Sequence, residues 1–417
     1  MSDFYVGLGT AVAERTILRK KGPAWETWDD VCDRVAHGNA SLCKTPLEQV
    51  SEFGVINKLM KKKVMITSGR HLEHGDLIQK YKPMEVYTNC ATSFSTFNLL
   101  YLLLNGSGVG RSYDDDLMLV NWDHMPTVVC VLSDSHADYN YVHHTTPREA
   151  AHKYDNAIWV KCKDSREGWS EVVETLEIMA FEKIHRDKIV VIDFSDVRPS
   201  NAPIAGMGGK PASGPLPLMS AIDKISTVKG MAPWKQSLYI DHYLAECVRV
   251  GGVRRSARMS TKYWKDTTIL EFIEVKRPVE FRGKTMAEII ALRKTSTPMG
   301  FLWSSNNSVM VDKEFWELLN LKPRNPRYKS PIARHAREVF KRVTECSYGD
   351  GTGEPGLINV DLLESTDVPD NVTFGNERHS PADTTLLFLD QLMRVVRKKL
   401  YKYIVNPYKN MRPFKVT

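Results

Sequence analysis

The residues best placed to do chemistry lie in one stretch, Glu85 to Gly110, EVYTNCATSFSTFNLLYLLLNGSGVG. A thiol, Cys90, follows the extended-looking pair Val86 and Tyr87. It precedes Thr92 and Ser93, either of which can cap a helix carrying Phe94, Leu99, Leu100 and Leu103. A cysteine at a strand exit, near the positive end of a helix, has its thiolate favoured by backbone N–H groups. That suits redox or nucleophilic work. A buried structural thiol fits the same spacing. Gly106, Gly108 and Gly110 then predict a loop that breaks the helix.

Other groups offer less. His71 and His74 could seat a metal, but two histidines without further ligands suit local hydrogen bonding or substrate positioning better, and no metal site is expected. Asp114, Asp115 and Asp116 read as a turn, because three consecutive carboxylates cannot all face one ion. The glycines at 106, 108 and 110 follow a helix, not a strand, and lack the third spacing of a dinucleotide fingerprint. Arg254 and Arg255, just after Gly251 and Gly252, suit phosphate or carboxylate recognition, or a surface ion pair.

The elements that must position these groups can be read from periodicity. Residues 1–84 predict a helical region: Trp28, Val31, Cys32 and Val35 share one helical face, and a second segment runs from Pro46 to about Met60. Leu117–Val120 and Thr127–Leu132 predict strands, Trp169–Phe181 a helix and Ile189–Asp193 a buried strand. Arg198–Pro217, rich in glycine, proline and serine, predicts a binding loop. A helix within 235–258 should stop at Gly251 and Gly252. Phe301–Ser308 predicts a strand and polar loop, and Leu357–Val360 a strand. A last helix starts at Ser380 and Pro381, followed by a strand at Tyr403–Val405. Strand and helix alternate after residue 85, which predicts an α/β architecture with largely parallel strands.

Composition bounds the reading. At 417 residues, 42% hydrophobic and 26% charged, the chain has the make-up of a globular protein. The N-terminus lacks the order of a signal peptide, and no run reaches the length of a membrane span. Seven scattered cysteines with no CxxC pair point to a reducing cytoplasm, and exclude a zinc ribbon or disulfide scaffold. The net charge of +7 is concentrated late: after Asp390 come Arg394, Arg397, Lys398, Lys399, Lys402, Lys409, Arg412 and Lys415 with no carboxylate. Such an end could touch nucleic acid or an acidic partner, or be a solvated helix face and tail.

Taken in order, the motifs RHLEHGD (70–76), EVYTNC (85–90), NGSGVG (105–110), DFSDVRP (193–199), PASGP (211–215), GGVRRSA (251–257) and GEPG (353–356) resemble the adenosylcobalamin-dependent (class II) ribonucleotide reductases of the monomeric type. The resemblance runs to about Pro407. It implies the first half of a ten-stranded α/β barrel over 85–407, each half contributing five parallel strands, with a finger loop through the middle. An insertion near 97–200 would hold a deoxynucleotide effector. The chemistry it implies is reduction of a ribonucleoside triphosphate to a deoxyribonucleotide by a thiyl radical. Two further cysteines supply electrons, restored by thioredoxin, and adenosylcobalamin is the cofactor. Cys90 matches the first reducing cysteine; Asn89, Ala91 and Thr92 match the turn against the substrate; Asn406 matches the catalytic asparagine.

The sequence departs from the family after Asn406 and Pro407. Tyr408 stands where the family has its radical cysteine, followed by the catalytic glutamate, and 408–417 is a basic tail of no family likeness. The expectation is an amino-terminal half from an interrupted or split gene, of bacterial or phage origin, completed by a complementary chain. The alternative is a catalytically dead nucleotide-binding fragment. A nucleic-acid-binding role has little behind it, since aromatics interleaved with the basic end are few.

Overall fold

The computed structural model describes residues 11, 13–14, 16–82, 87, 90–140, 144–204, 210–248, 256–277, 279–281, 284–295, 302, 304–349 and 353–361. The expected last helix, the strand at 403–405, the basic tail, and Asn89, Arg254, Arg255 and Asn406 lie outside the described residues.

A short hairpin, β1 (Lys20–Lys21) and β2 (Ala24–Trp25), leads into α1 (Trp28–Ala40), α2 (Pro46–Lys61) and α3 (Gly69–His74). Helices α1 and α2 each open with a reciprocal capping box, Thr27 with Asp30 and Thr45 with Glu48, which satisfies amides that the helix leaves free. Their apolar stripes, with Val31, Val35, Ile56 and Met60, form a small core of their own. Gly38 is required there, because a Cβ on it would stand 2.6 Å from the carbonyl oxygen of Asp76.

The central sheet begins with β3 (Cys90–Thr92), then α4 (Thr96–Leu104) and β4 (Gly108–Ser112). Two expectations change here. Cys90 opens the described strand, with Tyr87 in a turn before it, so the thiol does not sit at a strand exit. The glycine run is a strand, not a loop: only Gly106, with φ of +80°, makes the turn, and Gly108 and Gly110 pair in the sheet.

Next come β5 (Thr127–Val131), α5 (Pro147–Lys153), β6 (Ile158–Lys161), α6 (Arg166–Glu182) and β7 (Ile189–Asp193). These strands form a separate parallel sheet in the order β5-β7-β6. The expected strand at 117–120 is absent: Asp115–Leu117 is a 3-10 turn, because Asp115 is drawn to Lys262 and Thr268. Within the 198–217 segment, β8 (Pro203–Ile204) and β9 (Lys210–Pro211) pair antiparallel.

Helices α7 (Leu216–Ile225) and α8 (Pro233–Cys247) lead back to the central sheet at β10 (Ala257–Tyr263). Then α9 (Ile269–Glu274) and α10 (Met286–Thr295) precede β11 (Ser305–Val311). That strand begins inside the polar run expected to be a loop, its alternate serines and asparagines turned into a polar core. Helices α11 (Lys313–Leu319) and α12 (Pro331–Thr344) connect to β12 (Gly356–Asn359). The central sheet is five-stranded and all-parallel, in the order β3-β4-β10-β11-β12, which is also the order along the chain. Strand β4, within the 97–200 stretch expected to be an insertion, is one of the inner strands of this sheet.

Candidate functional site

Register and pleat assign the central sheet's residues to two faces. Cys90 pairs with Gly108, which pairs with Ala257; Thr92 pairs with Gly110, and Gly110 with Met259. Successive residues alternate, so position 90 and Thr92 share a face with those glycines while Ala91 falls on the other. The side chain of Cys90 lies outside the described residues. Thr92, Met259, Ser308 and Ile358 are half-buried on this face and Asn306 is exposed. On the same face Gly110, Ser112, Thr261 and Met310 are buried.

The opposite face is packed under α8 and carries a buried polar network. Arg111 Nη1 donates to Asp241 Oδ2 at 2.8 Å and to Thr96 Oγ1 at 2.9 Å. The Tyr113 hydroxyl donates to the same Asp241 oxygen at 2.6 Å and accepts from Arg258 Nη2 at 3.1 Å. Ser260 and Ser305 hydroxyls meet at 2.5 Å across β10 and β11. Burial drives the Tyr113 phenol well above its ordinary range, so it acts as a donor. Lys262, fully buried, donates to the Tyr113 carbonyl at 2.6 Å and pairs with Asp115 and Asp266, each at 3.1 Å.

Two groups join this network to its neighbours. Glu177, on α6, accepts from the Thr96 and Phe97 amides at 3.1 Å each; burial pushes its carboxyl up to about 7, against the pull of Arg111 and those amides. The free amides of α4 are thus already taken by a carboxylate. His242, on α8, meets Ser304 Oγ through Nδ1 at 2.7 Å and Glu246 through Nε2 at 3.5 Å. Burial and then Arg258 hold its pKa down to about 4, so the ring is neutral at pH 7.

The sequence reading missed Glu177 and Asp241. A signal existed: each is a carboxylate on the apolar stripe of its helix, Glu177 beside Val173, Leu176 and Ala180, and Asp241 beside Leu238, Leu244 and Ala245. His71 and His74 sit on α3, both with pKa lowered by burial, His74 to about 4. Among the described residues no three His, Cys, Asp or Glu side chains are grouped to hold a metal ion. No helix among them is long and apolar enough to cross a membrane.

The fold is thus α/β: a parallel sheet in chain order, interrupted between its second and third strands by a smaller α/β unit. Comparison with known proteins shows what the chain is similar to. The family model described as the insertion domain of B12-dependent ribonucleotide reductase matches residues 127–229, which spans β5 to α7. A Mycobacterium phage D29 protein named as an adenosylcobalamin-dependent ribonucleoside-triphosphate reductase is 28% identical over 385 residues, 85% of this chain and 50% of its own. The enzyme of that name from Lactobacillus delbrueckii subsp. bulgaricus is 27% identical over 409 residues, 86% of this chain and 49% of its own. A crystal structure of a B12-dependent (class II) ribonucleotide reductase superposes with a TM-score of 0.57 at 22% identity, over 85% of this chain and 49% of that one. This chain therefore resembles the adenosylcobalamin-dependent ribonucleotide reductases in sequence and in fold. It spans about half the length of the relatives it matches.

Those relatives are named for adenosylcobalamin. Among the described residues, a cavity of about 660 Å³ between α11 and the end of β12 lies within the range of ordinary small-molecule pockets.

Proposed function

We propose that this chain is the amino-terminal half of an adenosylcobalamin-dependent ribonucleoside-triphosphate reductase, acting in the cytoplasm of a bacterium or a phage-infected host. The observation that carries it is topological: five parallel strands in chain order, with the matched insertion between β4 and β10. In this reading the ribose lies on the glycine-rich face of the sheet, beside Thr92. Cys90 is one of two thiols that reduce it. The substrate loses its 2′-hydroxyl as water, and the two thiols become a disulfide, which balances the two electrons. Thioredoxin then restores them. The adenosylcobalamin supplies the radical equivalent when bound, and the radical cysteine comes from the complementary half. A deoxynucleotide effector binds the insertion. Asn89, just before β3, meets the substrate; Ala91, within β3 and on the opposite face, meets it only through its backbone, and Asn406 belongs to the catalytic loop.

The test combines this polypeptide with the chain that completes the length of its relatives, adenosylcobalamin, a ribonucleoside triphosphate and a dithiol. Deoxynucleotide should form only when both halves are present, and Cys90→Ser should abolish it without disturbing assembly on size exclusion. Full turnover by Cys90→Ser would overturn the assignment of that thiol. Turnover by the 417-residue polypeptide alone would overturn the need for a second half. Deoxynucleotide binding with no turnover in any combination would mark a catalytically dead nucleotide-binding fragment instead.

A further inference from the structure

Glu177 has no part in the chemistry just described, yet it joins two regions that this chemistry needs together. It lies on α6, inside the stretch matched by the insertion-domain family, and is 1% exposed. Its two oxygens accept from the first amides of α4, those of Thr96 and Phe97. Helix α4 is the element that directly follows the Cys90–Thr92 strand.

The link between them is short and pinned throughout. The Ser93 amide donates to the Gly110 carbonyl at 2.9 Å. The Ser93 hydroxyl donates to the Ser95 carbonyl at 2.7 Å and accepts from the Ser95 amide at 3.3 Å. Thr96 Oγ1 accepts from Arg111, which Asp241 holds from the far side. Displacing the start of α4 therefore displaces the end of β3.

An ordinary helix cap would come from the chain just before the helix. Ser95 occupies the N-cap position and is a residue type that caps well, but its side chain makes no capping bond. The role has passed to a carboxylate roughly eighty residues further along the chain, in a different sheet's packing layer. A local cap would have stabilised α4 equally well. What the distant one adds is a fixed distance between the insertion and the strand of Cys90.

We propose that Glu177 is a positioning residue: its carboxylate, delivered by the insertion, sets the placement of the Cys90–Thr92 strand through the first turn of α4, and so sets the reactivity of the Cys90 thiol. Its value to catalysis rests on the reductase reading, but the geometric claim is tested without turnover.

The experiment uses the full 417-residue polypeptide at pH 8, alkylated with N-ethylmaleimide and followed by peptide mass spectrometry at Cys90, with Cys43 on the N-terminal region as internal reference. Glu177→Gln keeps the shape but turns an NH₂ toward one of the two amides. It should change the Cys90 rate at least about fivefold, with Cys43 unchanged. Met179→Ala, buried on the same helix and outside the clamp, should leave the Cys90 rate within about twofold while loosening the core. An unchanged Cys90 rate in Glu177→Gln, or an equal change in Met179→Ala, would overturn the proposal. If Glu177→Gln does not fold, Glu177→Asp keeps the charge but is one methylene short of the two amides; it should change the Cys90 rate at least about fivefold with Cys43 unchanged, and no change would overturn the proposal. Because no deoxynucleotide is measured, an inactive reductase leaves this result standing, and an active one does not supply it.

Discussion

The charge state of Glu177 should be visible in how stability depends on pH. Burial pushes its carboxyl up from 4.5 to about 7, with Arg111 and two backbone amides opposing. The folded protein therefore holds this proton more tightly than the unfolded chain. The stability it contributes is complete below about 4.5 and is lost as pH rises through about 7. At 1.36 kcal/mol per pH unit the loss is roughly 3 kcal/mol. The side chain is fully enclosed, so solvent does not screen this figure away. The wild-type curve alone cannot isolate it. Asp114, raised by burial to about 6, acts in the same sense. His74 and His242, lowered to about 4 from 6.5, act in the opposite sense, since their contribution is lost as pH falls through that window. Only the difference between wild type and Glu177→Gln removes these shared terms. Guanidinium unfolding, followed by far-UV circular dichroism from pH 4.5 to 8 at constant m, measures that difference. The advantage of wild type over the variant should shrink by roughly 3 kcal/mol across the range. Parallel curves, or an advantage that grows with pH, would refute a buried carboxylate of raised pKa at this position.

Three further outcomes follow from other parts of the fold. Lys262→Met keeps the side-chain volume but leaves Asp115 and Asp266 without their buried cation; it should cost roughly 3–5 kcal/mol in the same unfolding assay. Thr27→Ala removes one side of the capping box on α1 and should cost about 1 kcal/mol, seen as faster hydrogen exchange confined to that helix's first turn. Addition of the complementary half should slow exchange at the edge strands β3 and β12 and leave β6, the edge of the smaller sheet, unaffected.

Long periodic segments were legible in the sequence, and short irregular ones were not. Helices α1 and α6 announce themselves by apolar spacing, whereas α2 shows little of it, with Leu47, Val50 and Val55 exposed. Strands β5 and β7 are continuous β-branched runs, as buried parallel strands should be. By contrast β4, GVGRS, has neither β-branched density nor a clean alternation. It is a strand because its backbone pairs on both sides, with β3 and β10, a tertiary fact that local propensity does not contain. The same holds for β11, whose opening SNN pairs with Arg258, Met259 and Ser260. Cys90 was singled out for a helix terminus nearby, yet that terminus is occupied by Glu177. No local pattern could place a carboxylate from α6 there, even though its presence on an apolar stripe marked it as unusual.

The two faces of the central sheet place opposite demands on the molecule. All-parallel sheets are ordinarily covered on both sides, because their strands have no solvated face to offer. Here one face is covered by helices and filled with Arg111, Arg258, Lys262 and their partners; replacing both members of such buried pairs by apolar residues of equal volume often costs no stability, although removing one member does. Such a network is better understood as holding strands in one arrangement than as holding them together. The other face keeps glycines and small side chains, with Thr92, Met259, Ser308 and Ile358 half-buried and Asn306 exposed. Gly110, Ser112, Thr261 and Met310 on that face are buried, so its cover is incomplete only around the half-buried positions. A sheet rigidly specified from behind and partly covered in front suits a site completed by a second protein surface, and that arrangement connects the fold of this chain to the reaction proposed for it.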